Sequence, residues 1–292
     1  MGAIYNSSYY DDKTITTTEP LTFARIGYDN IVTEQNITSS SSLAGFGVEA
    51  LGNPFTYEVW KPANFPATLD VDAGEIVTVD YVAFGAHNLS NCVATVQYSQ
   101  NGVDYIDVTT ADFEKDKAAM LLFSPVSARY WRVTIDISVE EPTLILDFIN
   151  QKYTVYAAQG SPGDAYIGVM YIGKALEMQR GLYQGHTPGV FARQVEIRPN
   201  VSEGGQWLGR SVVRKGYQTS YSFNNLKAAW VREQMTPFFN AAITSPFFIA
   251  WRPETHADEV LFGWSDGAIV PSNSGPRDYM SVSFSVTAHG DE

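Results

Sequence analysis

The chain has 292 residues, enough for one large domain or two of ordinary size. Hydrophobic residues make up 45% of it, which is typical of a globular protein and excludes wholesale disorder. The net charge of −13 is uneven, because Met1–Arg180 has 22 acidic and 10 basic residues and Gly181–Glu292 has 10 and 9. Binding to nucleic acid needs a concentrated basic surface, so we expect no nucleic-acid partner.

The cysteine content and the first residues bear on location. Cys92 is the single cysteine, so no intrachain disulfide can form. The start, MGAIYNSSYYDDK, lacks the basic residues and apolar core of a signal peptide. No apolar run is long enough to span a membrane. We therefore expect synthesis in a reducing cytoplasm and no membrane insertion.

The first part of the chain predicts short strands at regular spacing. Met1–Thr22 is polar and predicts an extended arm, and the Ser- and Gly-rich Ile37–Asn53 predicts an irregular surface loop. The predicted strands are Thr56–Trp60, Ala67–Val71, Ile76–Phe84, Cys92–Ser99, Asp104–Val108, Leu121–Phe123, Ala128–Ile135, Leu144–Phe148, Tyr153–Tyr156 and Tyr166–Ile172. This spacing indicates a β-sandwich and not βαβ units.

The stretch Gly181–Gly189 predicts a joint. It has Gly181, Gly185, Pro188 and Gly189 within nine residues, a density typical of a connection. We therefore predict two domains, 1–180 and 181–292. The strands predicted in the second are Val190–Ile197, Arg210–Val213, Tyr217–Phe223, Phe247–Trp251, Val260–Trp264 and Met280–Ala288. One helix is predicted from about Leu226, capped by Asn224–Asn225 and kinked or restarted at Pro237.

Two groups of motifs resemble known families. The first part resembles a discoidin-like, galactose-binding-type jelly roll, in ATLDVDAGEIVTVDYVAFGAHNL at Ala67–Leu89, VQYSQNGVDYIDV at Val96–Val108, SARYWRVTI at Ser127–Ile135 and YIGVMYIG at Tyr166–Gly173. The second part resembles a β domain in tail proteins of long-tailed, non-contractile bacteriophages. The matching segments are Arg198–Leu226, Phe247–Pro253 and Gly263–Val286.

The combination resembles a distal-tail or minor tail protein of the phage tail tip. It implies a mainly β fold, with an N-terminal jelly-roll sandwich followed by a tail-tube-like β domain with one packed helix. It also implies a non-enzymatic structural subunit of the virion. Its partners would be other copies in a closed ring, three-fold or six-fold, and neighbouring tail proteins. No sugar-binding residue carries over from the family.

The residues themselves suggest two kinds of contact. A basic cluster with two aromatic residues is the candidate subunit interface, formed by Arg193, Arg198, Trp207, Arg210, Arg214, Lys215 and Tyr217. In the alternative function, a carbohydrate-binding module that contacts host polysaccharide, flat rings would stack on a sugar. The candidates are Trp60, Tyr81, His87 and Tyr105.

Patterns for catalysis and metal binding are weak. Gly263-Trp264-Ser265-Asp266-Gly267 matches the nucleophile motif of α/β hydrolases, and Asp278 and His289 follow in the expected order. The segment after it, AIVPSNSGP, cannot begin the required helix, so we interpret the motif as a turn and expect no enzyme activity. Asp70, Asp72, Glu75 and Asp80 could donate oxygens to a metal ion. Because side chains alternate along a strand, we interpret most of these carboxylates as facing solvent. We therefore expect no metal and no cofactor.

Overall fold

Strands dominate the computed structural model, which describes residues 3–5, 21–113, 116–138, 143–147, 152–156, 165–182, 185–275 and 278–290. The mainly β fold with one helical segment agrees with the prediction. The strands are β1 Ala3–Tyr5, β2 Arg25–Gly27, β3 Ile37–Ser39, β4 Ala67–His87, β5 Cys92–Ser99, β6 Ile106–Asp112, β7 Ala119–Ile137, β8 Thr143–Asp147, β9 Lys152–Tyr156, β10 Ile167–Gly173, β11 Leu176–Glu177, β12 Arg193–Val201, β13 Trp207–Lys227, β14 Phe247–Ala250, β15 Val260–Ser265, β16 Ser272–Asn273 and β17 Tyr279–Ala288.

The first sheet has the order β10-β4-β7-β5-β6, with β1 beside β7 and β3 beside β4. The long strands β4 and β7 pair antiparallel, with register shifts between Asp72 and Val77 and between Val79 and Tyr81. Such bulges bend a strand. Buried side chains from both halves of β4, including Leu69 and Phe84, share one core with Trp131 of β7.

Period-two alternation explains several strands of this sheet. In β5, Cys92, Ala94 and Val96 are buried while the residues between them are half-buried, as predicted. In β7, Trp131 and Val133 face the core. The predicted pair near 144–156 is present as the backbone hairpin of β8 and β9, and Phe148 lies outside the described residues.

Several predictions for the first part are wrong. The segments predicted as separate strands at Ala67–Val71 and Ile76–Phe84 are one strand, β4, and those at Leu121–Phe123 and Ala128–Ile135 are one strand, β7. Thr56–Trp60 is not a strand, because among these residues only Trp60 pairs, in an isolated bridge with Ile167. The segment Ile37–Asn53 is not an irregular loop throughout. It contains β3 and a 3₁₀ turn at Val48–Gly52, where Leu51 is buried in the core. Of the predicted N-terminal arm, Ala3–Tyr5 forms β1 beside β7, and residues 6–20 lie outside the described part.

The second sheet has the order β11-β2-β14-β15-β17-β13-β12, with β16 beside β17. Two of its strands, β2 and β11, are short and precede residue 180 in the sequence. The division into 1–180 and 181–292 stays a prediction. The two segments expected as Arg210–Val213 and Tyr217–Phe223 are one continuous strand, β13.

The helical segment begins at Ala228, not near Leu226, because Leu226 still pairs with Met280. Asn225 does not cap it; it adopts a φ of 59° at a register shift in β13. The segment consists of α1 at Ala228–Trp230, a π-helical turn at Val231–Met235 and α2 at Thr236–Ala241. At Thr236, the residue before Pro237, the π-helical turn passes directly into α2, and this is where a kink or restart was predicted. No helix among the described residues is long and apolar enough to cross a membrane.

The two sheets pack against each other through a hydrophobic core to which both contribute. Tyr171 of β10 meets Phe248 of β14 edge to face, with ring centroids 5.3 Å apart. Phe248 in turn lies 4.7 Å from Phe262 of β15. Gly85 of β4 permits this approach, because a Cβ there would lie 3.1 Å from the Phe262 ring.

Candidate functional site

An exposed two-stranded hairpin lies at one edge of the second sheet, and we call it the β12–β13 arm and define it as Arg193–Lys215. Its strands pair antiparallel from Arg193 opposite Tyr217 to Val201 opposite Trp207. All nine residues of β12 are exposed. β12 is the edge strand of the second sheet, so among the described residues no strand lies beside one side of its backbone. The arm therefore projects with both faces open to solvent.

A tight turn closes the tip of the arm. The Ser202 amide donates to the Gln206 carbonyl at 2.9 Å, and the Gly205 amide donates to the Ser202 carbonyl at 2.9 Å. Gly205 has a φ of 78°, a conformation that glycine adopts without steric cost. The tip is thus ordered by its own backbone.

Apolar side chains are exposed along the arm. Trp207 is 71% exposed and Leu208 is 66% exposed, both next to the tip. The other exposed apolar residues of the arm are Val195, Ile197, Val201, Val212 and Val213. A two-stranded hairpin is marginally stable in water without further packing, so these side chains are suited to a surface supplied by another molecule.

The structure brings the predicted interface residues together on this arm or at its base. Arg193, Arg198, Arg210 and Lys215 are exposed, and Tyr217 is half-buried at the base. Arg214 pairs through its backbone with Glu196, and its side chain lies outside the described part. The single ion pair found for the described side chains of this group joins Arg198 to Glu196 at 4.0 Å. Their role in an interface stays a prediction.

Burial corrects three of the four sugar-contact predictions. Trp60 and Tyr81 are fully buried, and His87 is 3% exposed. Trp60 donates from Nε1 to the Ser42 hydroxyl, Tyr81 donates to the Asp29 carbonyl, and the His87 ring packs 5.3 Å from Phe113. None of these rings can offer a face to a sugar in solvent.

Tyr105 is half-buried, and its ring already has a charged neighbour. The Arg132 guanidinium lies 3.9 Å from the ring centroid and is paired with Asp70. Burial and the neighbouring Asp70 raise the pKa of the Tyr105 hydroxyl. A sugar role for Tyr105 stays a prediction.

An exposed aromatic pair that the sequence predictions missed lies on the loop before Trp60. The rings of Phe55 and Tyr57 stack at 5.5 Å with an angle of 19° between their planes. Phe55 is 50% exposed and Tyr57 is 76% exposed. Asn53 shapes the loop, because its side chain accepts from the Phe55 amide at 2.9 Å and donates to Glu58 at 2.8 Å. The Asn-Pro turn signal at Asn53–Pro54 could have indicated this loop.

The hydrolase-like motif is a turn in the structure. Ser265 ends β15 and donates from its hydroxyl to the Gly267 carbonyl. Asp266 accepts hydrogen bonds from Thr287 and Gln218, so its carboxylate fixes the turn to the neighbouring strands. Asp278 lies 3.7 Å from Arg232 and accepts at its carbonyl from the Ala228 amide, which places it beside the start of α1. These contacts agree with the interpretation as a turn.

The acidic residues of β4 serve separate purposes. Asp70 pairs with Arg132, and Asp72 pairs with Arg129 through two hydrogen bonds of 2.7 and 2.9 Å. The Arg129 hydrogen bond lowers the pKa of the Asp72 carboxyl to about 2. Asp80 is buried, so solvent exposure does not explain it. Among the described residues, no group of three or more histidine, cysteine, aspartate or glutamate side chains is placed to hold a metal ion.

Solved structures similar to this chain include carbohydrate-binding modules. Chitosan-binding module 1 of a chitosanase/glucanase from Paenibacillus sp. IK-5 is 19% identical, with 49% of this chain and 98% of that chain covered and a TM-score of 0.38. The module CpGH89CBM32-5 from Clostridium perfringens, solved with GalNAc-β-1,3-galactose, is 12% identical, with 49% and 98% covered and a TM-score of 0.36. The family 32 module of C. perfringens NanJ, solved with galactose, is 16% identical, with 51% and 98% covered and a TM-score of 0.36.

At these identities and TM-scores, the likeness carries no argument about a ligand of this chain. No protein-family model matches the sequence, and no curated protein matches it.

Proposed function

We propose that the protein is a non-enzymatic structural subunit that joins other copies of itself through the β12–β13 arm. The exposure of the whole arm is the observation that carries this proposal. An exposed edge strand and a row of exposed apolar side chains are features that soluble monomers avoid. Packing of the arm on another subunit would bury Trp207 and Leu208, which lie near its tip.

The distribution of charge favours a second copy as the partner. The arm carries five basic and two acidic residues, a net charge of +3, while the rest of the chain has a net charge of −16. A basic arm and an acidic body are complementary between identical chains. Because the arm and its receiving surface differ, the contact is head-to-tail, and it closes into a ring when the rotation permits.

The finer proposal is a ring at the tail tip of a long-tailed phage, beside other tail proteins of the virion. Its support is the sequence resemblance of Arg198–Leu226, Phe247–Pro253 and Gly263–Val286 to phage tail proteins. Three-fold and six-fold rings are both compatible with the arm.

A charge reversal on the arm tests the assembly. Arg210→Glu should shift the purified protein toward monomer in size-exclusion chromatography with light scattering. Truncating one partner of a desolvated charge pair costs about 2–5 kcal/mol, so a reversal should be clearly measurable. Lys227→Glu is the matched control, because Lys227 is an exposed base on the same strand but beyond the arm. The proposal would be contradicted if the parent is a monomer, or if both variants assemble as the parent does.

A second candidate function is carbohydrate binding, and the stacked Phe55–Tyr57 pair favours it. Two exposed, nearly parallel rings offer a flat apolar surface of the kind that packs on the face of a sugar ring. The neighbouring Asn53 and Glu58 supply amide and carboxylate groups for hydroxyls. The ligand class is a neutral polysaccharide.

A glycan array with the full chain tests this second function. Tyr57→Ala should abolish retention on any glycan that binds the parent. Phe191→Ala is the matched control, since Phe191 is also 76% exposed but precedes the arm. Retention that survives Tyr57→Ala, or is absent in the parent, argues against the Phe55–Tyr57 site.

A further inference from the structure

A cavity of about 480 Å³ lies where the two sheets and the helical segment meet. Small-molecule sites typically measure about 300–1,000 Å³ and often lie between packed units. Asp80 comes from β4 of the first sheet, and Arg25 and Glu177 come from β2 and β11 of the second. Trp230 and Gln234 line the side formed by the helical segment. The cavity is separate from the arm and from the Phe55–Tyr57 pair.

Two buried charged side chains lie in the cavity wall. Arg25 is 8% exposed and Asp80 is 7% exposed. Arg25 donates from Nη2 to Glu177 Oε2 at 2.9 Å, and Asp80 accepts from the Ala175 amide at 2.7 Å. A buried charge is costly unless it is paired, so these contacts stabilise both groups in place.

One donor of the Arg25 guanidinium, behind the cavity surface, has no partner. Arg25 Nε is shielded from solvent and makes no hydrogen bond to any described residue. Buried polar atoms in folded proteins are nearly always satisfied, and an exception calls for a specific explanation. A ligand polar atom that enters the cavity, with a small shift of the guanidinium, would supply the missing acceptor.

The helical side of the cavity is irregular. Trp230 ends α1, and Gln234 lies within the π-helical turn Val231–Met235. Single π-helical turns are rare in helices and occur frequently at functional sites. Trp230 and Gln234 place an indole and a side-chain amide on the same wall of the cavity.

The charges of the wall select the ligand class. The lining has the bases Arg25 and Lys174 and the acids Asp29, Asp80 and Glu177, so the two signs nearly offset and an anion gains no net attraction. Carboxylates accept, and guanidinium and ammonium groups donate. A hydroxyl does both, and the face of a tryptophan packs on apolar C–H groups.

From this combination we propose that the cavity between the sheets binds a neutral polyhydroxylated ligand, a saccharide of one or two rings. Its hydroxyls accept from Arg25 and donate to Asp80, and Trp230 covers one face. Gln234 hydrogen-bonds at the mouth.

The test is isothermal titration of the full chain with D-galactose, N-acetyl-D-glucosamine and lactose, with D-glucuronate as the anionic comparison. At least one neutral sugar should bind, and D-glucuronate should bind at least tenfold more weakly. Gln234→Leu and Trp230→Leu should each weaken the neutral sugar at least tenfold. Glu233→Gln is the matched control, because Glu233 is exposed in the same π-helical turn and does not line the cavity.

Arg25→Gln should abolish binding. If Arg25→Gln fails to fold, Gln234→Leu still tests the site, because Gln234 is exposed. Tyr57→Ala separates this site from the second candidate function and should leave the titration unchanged. Absence of binding by all three neutral sugars overturns the proposal. So does binding that Tyr57→Ala removes while Gln234→Leu and Trp230→Leu preserve it.

Discussion

Asp80 gives the buried junction between the sheets a pH dependence. Burial raises the pKa of its carboxyl from the ordinary value of 3.8 to about 6, against the opposing effects of the Ala175 amide, Arg25 and Lys174. The folded state therefore binds this proton more tightly than the unfolded state. Stability from this group is present below pH 3.8 and is lost as the pH rises to about 6.

We expect Asp80→Asn to flatten the pH dependence of the unfolding free energy. The asparagine oxygen can still accept from the Ala175 amide, but the side chain no longer ionises. Between pH 4 and 7, the parent should lose about 2 kcal/mol more than the variant. Urea unfolding at a series of pH values measures this.

Asp72→Asn is the comparison of opposite sign. The Arg129 hydrogen bond lowers the pKa of Asp72 to about 2, so the contribution of Asp72 to stability is present above pH 3.8 and is lost as the pH falls toward 2.

For Asp80, parallel pH profiles of the parent and Asp80→Asn would contradict the prediction, because they would show that Asp80 does not titrate between pH 4 and 7.

Gly263 is required for close packing of β15 against β17. A Cβ at Gly263 would lie 2.4 Å from the Thr287 carbonyl oxygen and 2.8 Å from Ala288 Cα, both backbone atoms of β17. Gly263→Ala should therefore lower the unfolding free energy by about 1–3 kcal/mol, as overpacking does. Thermal unfolding measures the effect. Gly267→Ala is the control within the same motif, since nothing lies within 4 Å of its Cβ position, and equal melting of the two variants would refute this assignment.

Residue types alone could not separate core aromatics from exposed ones. Trp60 and Tyr81 were candidates for sugar stacking because an aromatic ring suits both a core and a binding surface. Both are buried, because residues far away in the sequence pack in the same cores: Trp60 lies with Val133 and Ile167, and Tyr81 lies with Met120 and Phe248. Phe55 and Tyr57 have no such cover.

At the scale of elements, regular alternation was predictive and irregular backbone was not. Cys92–Val96 of β5 and Trp131–Ile135 of β7 follow a period of two, so the sequence pattern groups the residues that share each face. β13 was divided in two because Arg214–Gly216 resembles a turn. In the structure, Gly216 pairs with Gln194, and cross-strand hydrogen bonds override the local signal.

The arm lies outside the hydrophobic cores of the described residues. None of its described side chains is buried, so removal of the arm should not disrupt the packing of a core. We expect a variant that lacks Ile197–Val213, with Asn-Gly joining Glu196 to Arg214, to melt within about 3 °C of the full-length monomer, for which the monomeric Arg210→Glu variant is the reference. An Asn-Gly link suits a two-residue hairpin turn. Circular dichroism measures the melting temperature, and a much lower value would mean that the arm stabilises the monomer.

At the scale of the whole molecule, the two sheets share a core. The Gly- and Pro-rich stretch Gly181–Gly189 predicts a joint between two domains, and that division stays a prediction. The structure places β2 and β11, which precede it, in the second sheet, and Tyr171 packs against Phe248 across the boundary. Strands of two or three residues have too short a pattern to assign to a sheet from sequence.

This shared core predicts that the described sheets unfold together. Phe262 of β15 is 2% exposed, and its ring contacts Phe248 and Tyr171, which belong to different sheets. Truncating a buried phenylalanine costs about 3–5 kcal/mol. In Phe262→Ala we therefore expect one cooperative transition, with faster hydrogen exchange in both β4 and β17. Phe191→Ala is the control, because Phe191 is exposed and should leave exchange unchanged. Faster exchange confined to β14, β15 and β17, with β4 still protected, would show instead that the sheets are energetically independent.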